Sequence, residues 1–319
     1  MATSSQSSYQ DILSEAWKQH LAPRAPDAPT VISLFAGAGG SSLGYSMAGY
    51  RELLAVEWDA NAVETFKLNF PGVSVYHGDI AKLSVEDVLE QTGLQPGELD
   101  VLDGSPPCQG FSTAGKRDMA DDRNQLFREY VRLLRGLQPK VFVMENVSGM
   151  VKGKMKLIFV EILKELKASG YKVSVRLMNA MYFHVPQSRQ RLIFIGVRED
   201  VIGEPEHPKA EGGGMDGSKV VPELQGKRFL SWRNAGRDDT LRSRGAVPCG
   251  ITKQGITLEG REIYRDPNGV KLFFSFPPPW KLCGKMQDQL DRIGNSVPPL
   301  LIRSVASHLR RTVLDGVAP

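Results

Sequence analysis

The chain has 319 residues, 41% hydrophobic and 24% charged, with a formal net charge of +4. That balance suits one large globular core, alone or with a smaller lobe, and excludes collagen-like, disordered and disulfide-framed chains. No apolar run approaches the roughly 18 residues of a membrane span, and the opening MATSSQSSYQ has neither the basic start nor the apolar stretch of a signal peptide, so a cytoplasmic or nucleoid location is expected.

Residues 1–30 read as a polar lead-in holding one short helix, Asp11 to His20, followed by LAPRAPDAPT, whose spaced prolines favour extended backbone. Then come strand-length apolar runs: TVISLF (30–35), LLAVEW (53–58), VSVYHGDI (73–80), LDVLDG (99–104), KVFVMENV (140–147), YKVSVRLM (171–178) and RLIFIGVR (191–198). They are rich in Val, Ile and Phe with little alternation, as expected of strands covered on both faces. Helical patterns lie between them. In NQLFREYVRLLRGLQP, Leu126, Tyr130, Leu134 and Leu137 share a stripe, Asn124 is the expected N-cap, and Gly136 and Pro139 form the stop. KMKLIFVEILKELKASG (154–170) ends at Gly170. This alternation predicts an α/β, doubly wound sheet.

After Arg198 the pattern fails. Residues 199–287, with EGGGMDG and FPPPW, read as a small irregular lobe, partly β. Between Lys227 and Arg265 there are nine Lys/Arg and four Asp/Glu, a local balance of +5 (9 − 4) on an otherwise near-neutral chain. Such a segment suggests a polyanion partner, although a solvated basic loop reads the same way. From Asp288, DRIGNSVPPLLIRSVASHLRR is a turn and then an amphipathic helix with prolines at its first positions. The expected division is therefore a lead-in (1–30), a main domain (31–198 with 288–319) and a lobe (199–287).

Three loops at strand ends form a candidate ligand site. SLFAGAGGSSLGY runs from a strand through Gly37, Gly39 and Gly40 into a helix, where bare backbone and free N–H groups admit a ligand closely. Glu57 ends the next strand, placed to hold both hydroxyls of a ribose, and Asp79 ends the third, placed to accept from an adenine amino group. An adenosine-bearing ligand fits best. A dinucleotide site or a plain tight turn would also explain the glycines, although the pattern is not G-x-G-x-x-G.

The scattered Cys108, Cys249 and Cys283 form no C-x-x-C pair and the five histidines are dispersed, so neither a metal site nor a disulfide framework is expected. Cys249 and Cys283 read as small fillers. Cys108 differs, since LDGSPPCQGFS stiffens its approach with Pro106 and Pro107 and follows it with a polar, glycine-containing stretch. A catalytic thiol needs such fixed geometry and limited exposure, but Pro-Pro-Cys alone is more often a structural turn. VFVMENVSGM shifts the balance by ending a strand on Glu145 and Asn146, and HVPQSRQRLIFIG adds Gln187 with Arg189 and Arg191 two residues apart, hence on one face if extended.

Read together and in order, LFAGAGG, VEWD, GDI, GSPPCQGFS, ENVSGM, PQSRQRLIFIG and RIGNSVPP resemble the cytosine-5 DNA methyltransferases of the bacterial and phage type. The resemblance implies a Rossmann-like sheet that uses S-adenosyl-L-methionine (SAM) and no metal, with residues 199–287 as the target-recognition lobe. It implies Cys108 as nucleophile, Glu145 as the acid at N3 of the cytosine, Arg191 holding the base with Arg189 in support, and Asn146 positioning the Pro-Pro-Cys loop. For the cofactor it implies Phe35 against the adenine, Gly37 and Gly39 giving backbone room, Glu57 and Trp58 at the ribose, Asp79 and Ile80 framing the adenine, and Asn295, Ser296 and Val297 at the methionine end. Double-stranded DNA is the implied partner, with Arg233, Arg237, Arg242 and Arg244 as candidate contacts. A restriction–modification or phage setting is implied too, with no stable complex with the endonuclease and a monomeric enzyme.

Other readings are a SAM- and DNA-binding protein with impaired catalysis, an RNA cytosine-5 methyltransferase, and a hydrolase pairing Cys108 with His184. Family members carry a helical R-x-L-T-x-R-E-type segment after the lobe. Here that place reads GITLEGREIYRDPNGVKLFFSFPPPW, and Pro267, Asn268 and Gly269 are expected to interrupt any helix.

Overall fold

Seven of the apolar runs form one sheet in the computed structural model, which describes residues 8–107, 125–151, 153, 155–211, 228–230, 246–252, 255–258, 261–264 and 267–316. The strands are β1 (Thr30–Leu34), β2 (Arg51–Glu57), β3 (Ser74–His77), β4 (Val101–Gly104), β5 (Val141–Val147), β6 (Tyr171–Asn179) and β7 (Gln190–Arg198), in the spatial order β3-β2-β1-β4-β5-β7-β6. β1 to β5 are parallel, whereas β7 runs antiparallel to both β5 and β6. Residues 180–189 are too short a link for a parallel crossover, which needs about a dozen residues. The strand order reverses between β1 and β4, and the crevice outside the carboxyl ends of these strands is where such sheets bind ligands.

Helices cover both faces. On one side lie α1 (Tyr9–Leu21), α2 (Gly40–Met47) and α3 (Ala60–Asn69); on the other lie α4 (Val85–Thr92), α5 (Gln125–Leu137) and α6 (Met155–Lys167). The stripe read in α5 is inward for Tyr130, Leu134 and Leu137; its expected cap, Asn124, lies outside the described residues. The chain closes with α7 (Pro267–Phe273), α8 (Met286–Asn295) and α9 (Pro299–Leu309) on the α1–α3 side. No helix among the described residues is long and apolar enough to cross a membrane.

Four short strands, β8 (Arg228–Leu230), β9 (Ala246–Thr252), β10 (Gly255–Leu258) and β11 (Arg261–Tyr264), make a second sheet of order β11-β10-β9-β8. Arg233, Arg237, Arg242 and Arg244 lie outside the described residues, as do Cys108 and the Cys249 side chain.

Packing corrects three expectations. The lead-in is not merely polar: a capping box between Ser8 and Asp11 starts α1 at Tyr9, and Tyr9, Leu13 and Ala16 enter the core on one helical stripe. Pro267 does not break a helix but opens α7, because the first turn has no use for the N–H that proline lacks. Residues 267–287 also do not belong with the lobe by packing, since Phe273, Phe274, Phe276 and Trp280 are buried in the same core as Leu43 and Phe66. Trp280 sits in an aromatic nest with Phe70 and Phe276, ring centroids 5.7 and 5.4 Å away. The buried Lys271 ammonium donates to the carbonyls of Pro278 and Trp280 at 2.7 and 2.8 Å, tying α7 to that turn.

Trp280→Ala is expected to lower unfolding free energy by about 3–5 kcal/mol, whereas Trp58→Ala, at a side chain 78% exposed, should change it by less than about 0.5 kcal/mol. Urea unfolding of the two variants checks the contrast.

Candidate active site

A crevice of about 1070 Å³ opens at the carboxyl ends of β1, β2, β4 and β5. One end is shaped by the loop after β1. Phe35, Gly37 and Gly39 all have left-handed backbone, with φ of 58°, 56° and 77°, so the chain doubles back before α2 begins. The buried Glu57 holds this loop to the next one. Its Oε2 accepts from the Gly37 N–H at 2.8 Å, and its Oε1 accepts from the N–H groups of Trp58 and Asp59, both at 2.9 Å. Oε2 keeps one acceptor position for a ligand hydroxyl. Trp58 and Ile80 line the crevice with Asp79, whose side chain accepts from the Ala81 N–H at 3.0 Å.

At the other end Glu145 is buried and ion-paired to Arg191, Nε to Oε1 at 2.5 Å. Antiparallel β7 makes this possible, setting Arg191 opposite Val147, two residues beyond Glu145 on β5. Asn146 donates through Nδ2 to the Pro106 carbonyl at 3.2 Å, so β5 holds the loop that leads to Cys108. Pro106 and Pro107 line the same crevice.

The two arginines expected on one face serve different neighbours. Arg189 turns to the C-terminal segment, donating through Nη2 to the carbonyls of Gly294 and Ser296 at 2.8 and 3.0 Å, with its guanidinium 5.0 Å from the Phe274 ring centre. Burial, with Arg191 beside it, pushes its pKa down to about 9. This brace sets Asn295, Ser296 and Val297 in the crevice wall. Gln187 donates to the Phe273 carbonyl at 2.6 Å and so supports α7 rather than the crevice. His184 does not line the crevice; it pairs with Glu211 at 3.4 Å.

Sequence reasoning missed Asp59, Arg292 and Asp103. Asp59 caps α3 through the Ala62 N–H and pairs with Arg292 of α8 at 2.5 Å, closing the crevice rim beside Trp58. Asp103, on central β4, is 3% exposed, lines the crevice, and accepts from the Tyr45 hydroxyl at 3.2 Å. Burial pushes its pKa up to about 7, and the charge of Glu145 adds to the effect. Glu52, on β2 with β1 between it and β4, is pushed up to about 8, also by burial. A carboxylate inside the apolar run LDVLDG was the available signal for Asp103.

Fold and crevice together define a class of site, a ligand crevice at the switch point of a doubly wound sheet. Residues 29–265 match the family model "C-5 cytosine-specific DNA methylase", and the chain belongs to that family. It is similar to the Type II methyltransferase M1.HphI of Haemophilus parahaemolyticus, 34% identical over 87% of this chain and 85% of that protein. It is also similar to M.Sau96I of Staphylococcus aureus, 39% identical over 88% of this chain and 75% of that one. Among solved structures, a DNA modification methyltransferase encoded within an E. coli prophage shares the fold, with a TM-score of 0.65 at 22% identity over 89% of this chain and 99% of that one. The S. pombe Dnmt2 methyltransferase does so with a TM-score of 0.60 at 19% identity over 88% and 98%.

Asp103 and Glu52 bind protons more tightly in the folded chain than their ordinary values of 3.8 and 4.5 allow once unfolded. Their contribution to stability is therefore complete below pH 4 and is lost as pH rises through about 7 and about 8. Each lowers unfolding free energy by up to about 1.4 kcal/mol per pH unit within its window. Denaturant melts at pH 5 and pH 8 should show the ligand-free protein weakening toward pH 8, with a smaller difference in Asp103→Asn.

Proposed function

We propose that this family member transfers the methyl group of SAM to carbon 5 of a cytosine flipped out of double-stranded DNA. The observation that carries the proposal is the Glu145–Arg191 pair, 2.5 Å apart, in a crevice of about 1070 Å³ whose wall includes the approach to Cys108. The residues fit such a cofactor. A Cβ on Gly37 would meet nothing closer than the Phe35 carbonyl at 4.0 Å, so the space above the loop is open. Phe35 and Trp58 offer aromatic surface, and Glu57 and Asp79 offer acceptors at one end. When bound, SAM supplies an electrophilic methyl group on a sulfonium.

Carbon 5 of cytosine is a poor nucleophile, and the protein's residues must activate it. Addition of the Cys108 sulfur to carbon 6 breaks the ring conjugation, while Glu145 donates at N3 and draws electron density so that carbon 5 becomes enamine-like. Arg191 orients the Glu145 carboxyl, and Asn146 fixes the loop entering the thiol. Once carbon 5 carries the methyl group, its proton passes to solvent, the Cys108 sulfur leaves as thiolate, and the N3 proton returns to Glu145, which restores the ring. Because carbon 6 is stacked inside a duplex, the base must leave the helix first. Residues 199–266 would read the target, with Arg233, Arg237, Arg242 and Arg244 contacting phosphates or guanines. The names of the relatives support a restriction–modification or phage setting, in which a nuclease of matching specificity acts separately.

Incubation with labelled SAM and mixed-sequence DNA should yield 5-methylcytosine, and bisulfite sequencing of an expression plasmid should give the target site. Cys108→Ser should abolish turnover, and Glu145→Gln should lower kcat by about 10²- to 10⁴-fold. A duplex carrying 5-fluorocytosine, with SAM, should trap a covalent adduct at Cys108. Folded protein that binds both yet forms no adduct would sink the mechanism.

A further inference from the structure

The crevice has two chemically different ends. Phe35, Glu57, Trp58 and Asp79 form one; Glu145, Asn146, Ser41 and Asp103 form the other, with Asn295–Val297 as a wall. The methyl group must be delivered to a base held at Glu145, so the methionine half of the cofactor lies at the second end. That half carries positive charge, on the sulfonium and on the ammonium.

Asp103 is the buried carboxyl there that the chemistry leaves without a role. It shares a face of the sheet with Glu145, because Asp103 pairs with Val143 and Glu145 lies two residues further along β5. The Tyr45 hydroxyl donates to it and the Ser41 hydroxyl lies beside it, but no ion pair reaches it among the described residues, whereas Glu145 has Arg191. Among the described residues, the titratable groups around it are Tyr45 of α2, Tyr130 of α5, Glu145 of β5 and Glu52 of β2. None of these is a cation, and Arg191 and Arg189 stand beyond Glu145. A buried carboxylate without a positive partner is costly, and a cation brought by a ligand would relieve that cost.

We propose that Asp103 is the counter-charge for the positively charged methionine end of SAM, a cofactor-reading residue that ionises as the cofactor binds. The inference rests on the SAM-dependent reading above. It has a thermodynamic consequence: with the carboxyl protonated in the ligand-free protein, SAM binding below neutral pH must release a proton. Binding must then tighten as pH rises toward about 7 and level off above it.

Calorimetric titration of the full chain with SAM and with S-adenosylhomocysteine, at pH 6 and pH 8 in buffers of different ionisation enthalpy, tests this. Wild type should release a large fraction of one proton on binding SAM at pH 6. Asp103→Asn, which keeps the shape and removes the charge, should release correspondingly less. It should also bind SAM about 10- to 100-fold more weakly at pH 8. A loss confined to SAM places Asp103 against the sulfonium; an equal loss for S-adenosylhomocysteine places it against the ammonium. If folded Asp103→Asn binds SAM within twofold of wild type and releases the same proton fraction, the assignment is wrong. If wild type binds no SAM at all, the SAM-dependent reading fails instead.

Discussion

How closely α2 can approach α9 decides where the walls of the crevice stand. A Cβ on Gly40 would lie 2.4 Å from the Val297 carbonyl, and one on Gly44 would lie 2.7 Å from both the Ile302 Cβ and the Pro299 carbonyl. These are close approaches that only glycine permits. They bring Asn295–Val297, near the end of the chain, against the N-terminus of α2, whose preceding loop carries Phe35 and Gly37. The loop after β1 and the C-terminal segment therefore become walls of one cavity. A side chain at either glycine would push α9 outward and open the crevice.

Charged side chains finish the assembly that the glycines allow, and each acts on backbone or on an opposite charge. Glu57 fastens the loop after β1 to the loop after β2 through three N–H groups. Arg189 fastens the C-terminal segment through two carbonyls, and Arg292 fastens α8 to Asp59 across the rim. Hydrogen bonds to a charged group are stronger than neutral ones, which suits positions where a loop must keep its shape while ligands pass. Asp103 and Glu52 are the exceptions. Burial drives both toward the neutral form, and Asp103 leaves the crevice wall poised to change charge.

The strands and the main helices were legible because long apolar runs and helical stripes reflect burial directly. Glu57, Asp79, Glu145 and Asn146 were legible because polar residues at the ends of buried strands have few places to go but a crevice. The direction of β7 was not read, although the short link before it held the information. Pro267 was read as a break because proline in a helix interior and proline at a first turn look alike without the helix boundary. The packing of α1 and of Trp280 was missed because both depend on partners remote in the chain.

Taken alone, the sequence determined the α/β class, the order of the strands along the chain and the motif set that marks the family. These are local properties of pattern and composition. Only the tertiary structure decided that Arg191 serves Glu145 while Arg189 serves the backbone of residues 294–296. It alone decided that Asp59 meets Arg292, and that Asp103 lies in the crevice without a cation among the described residues. Those outcomes depend on distance and burial between remote segments, which fix the charge and reach of each group and are not written in any single stretch of chain.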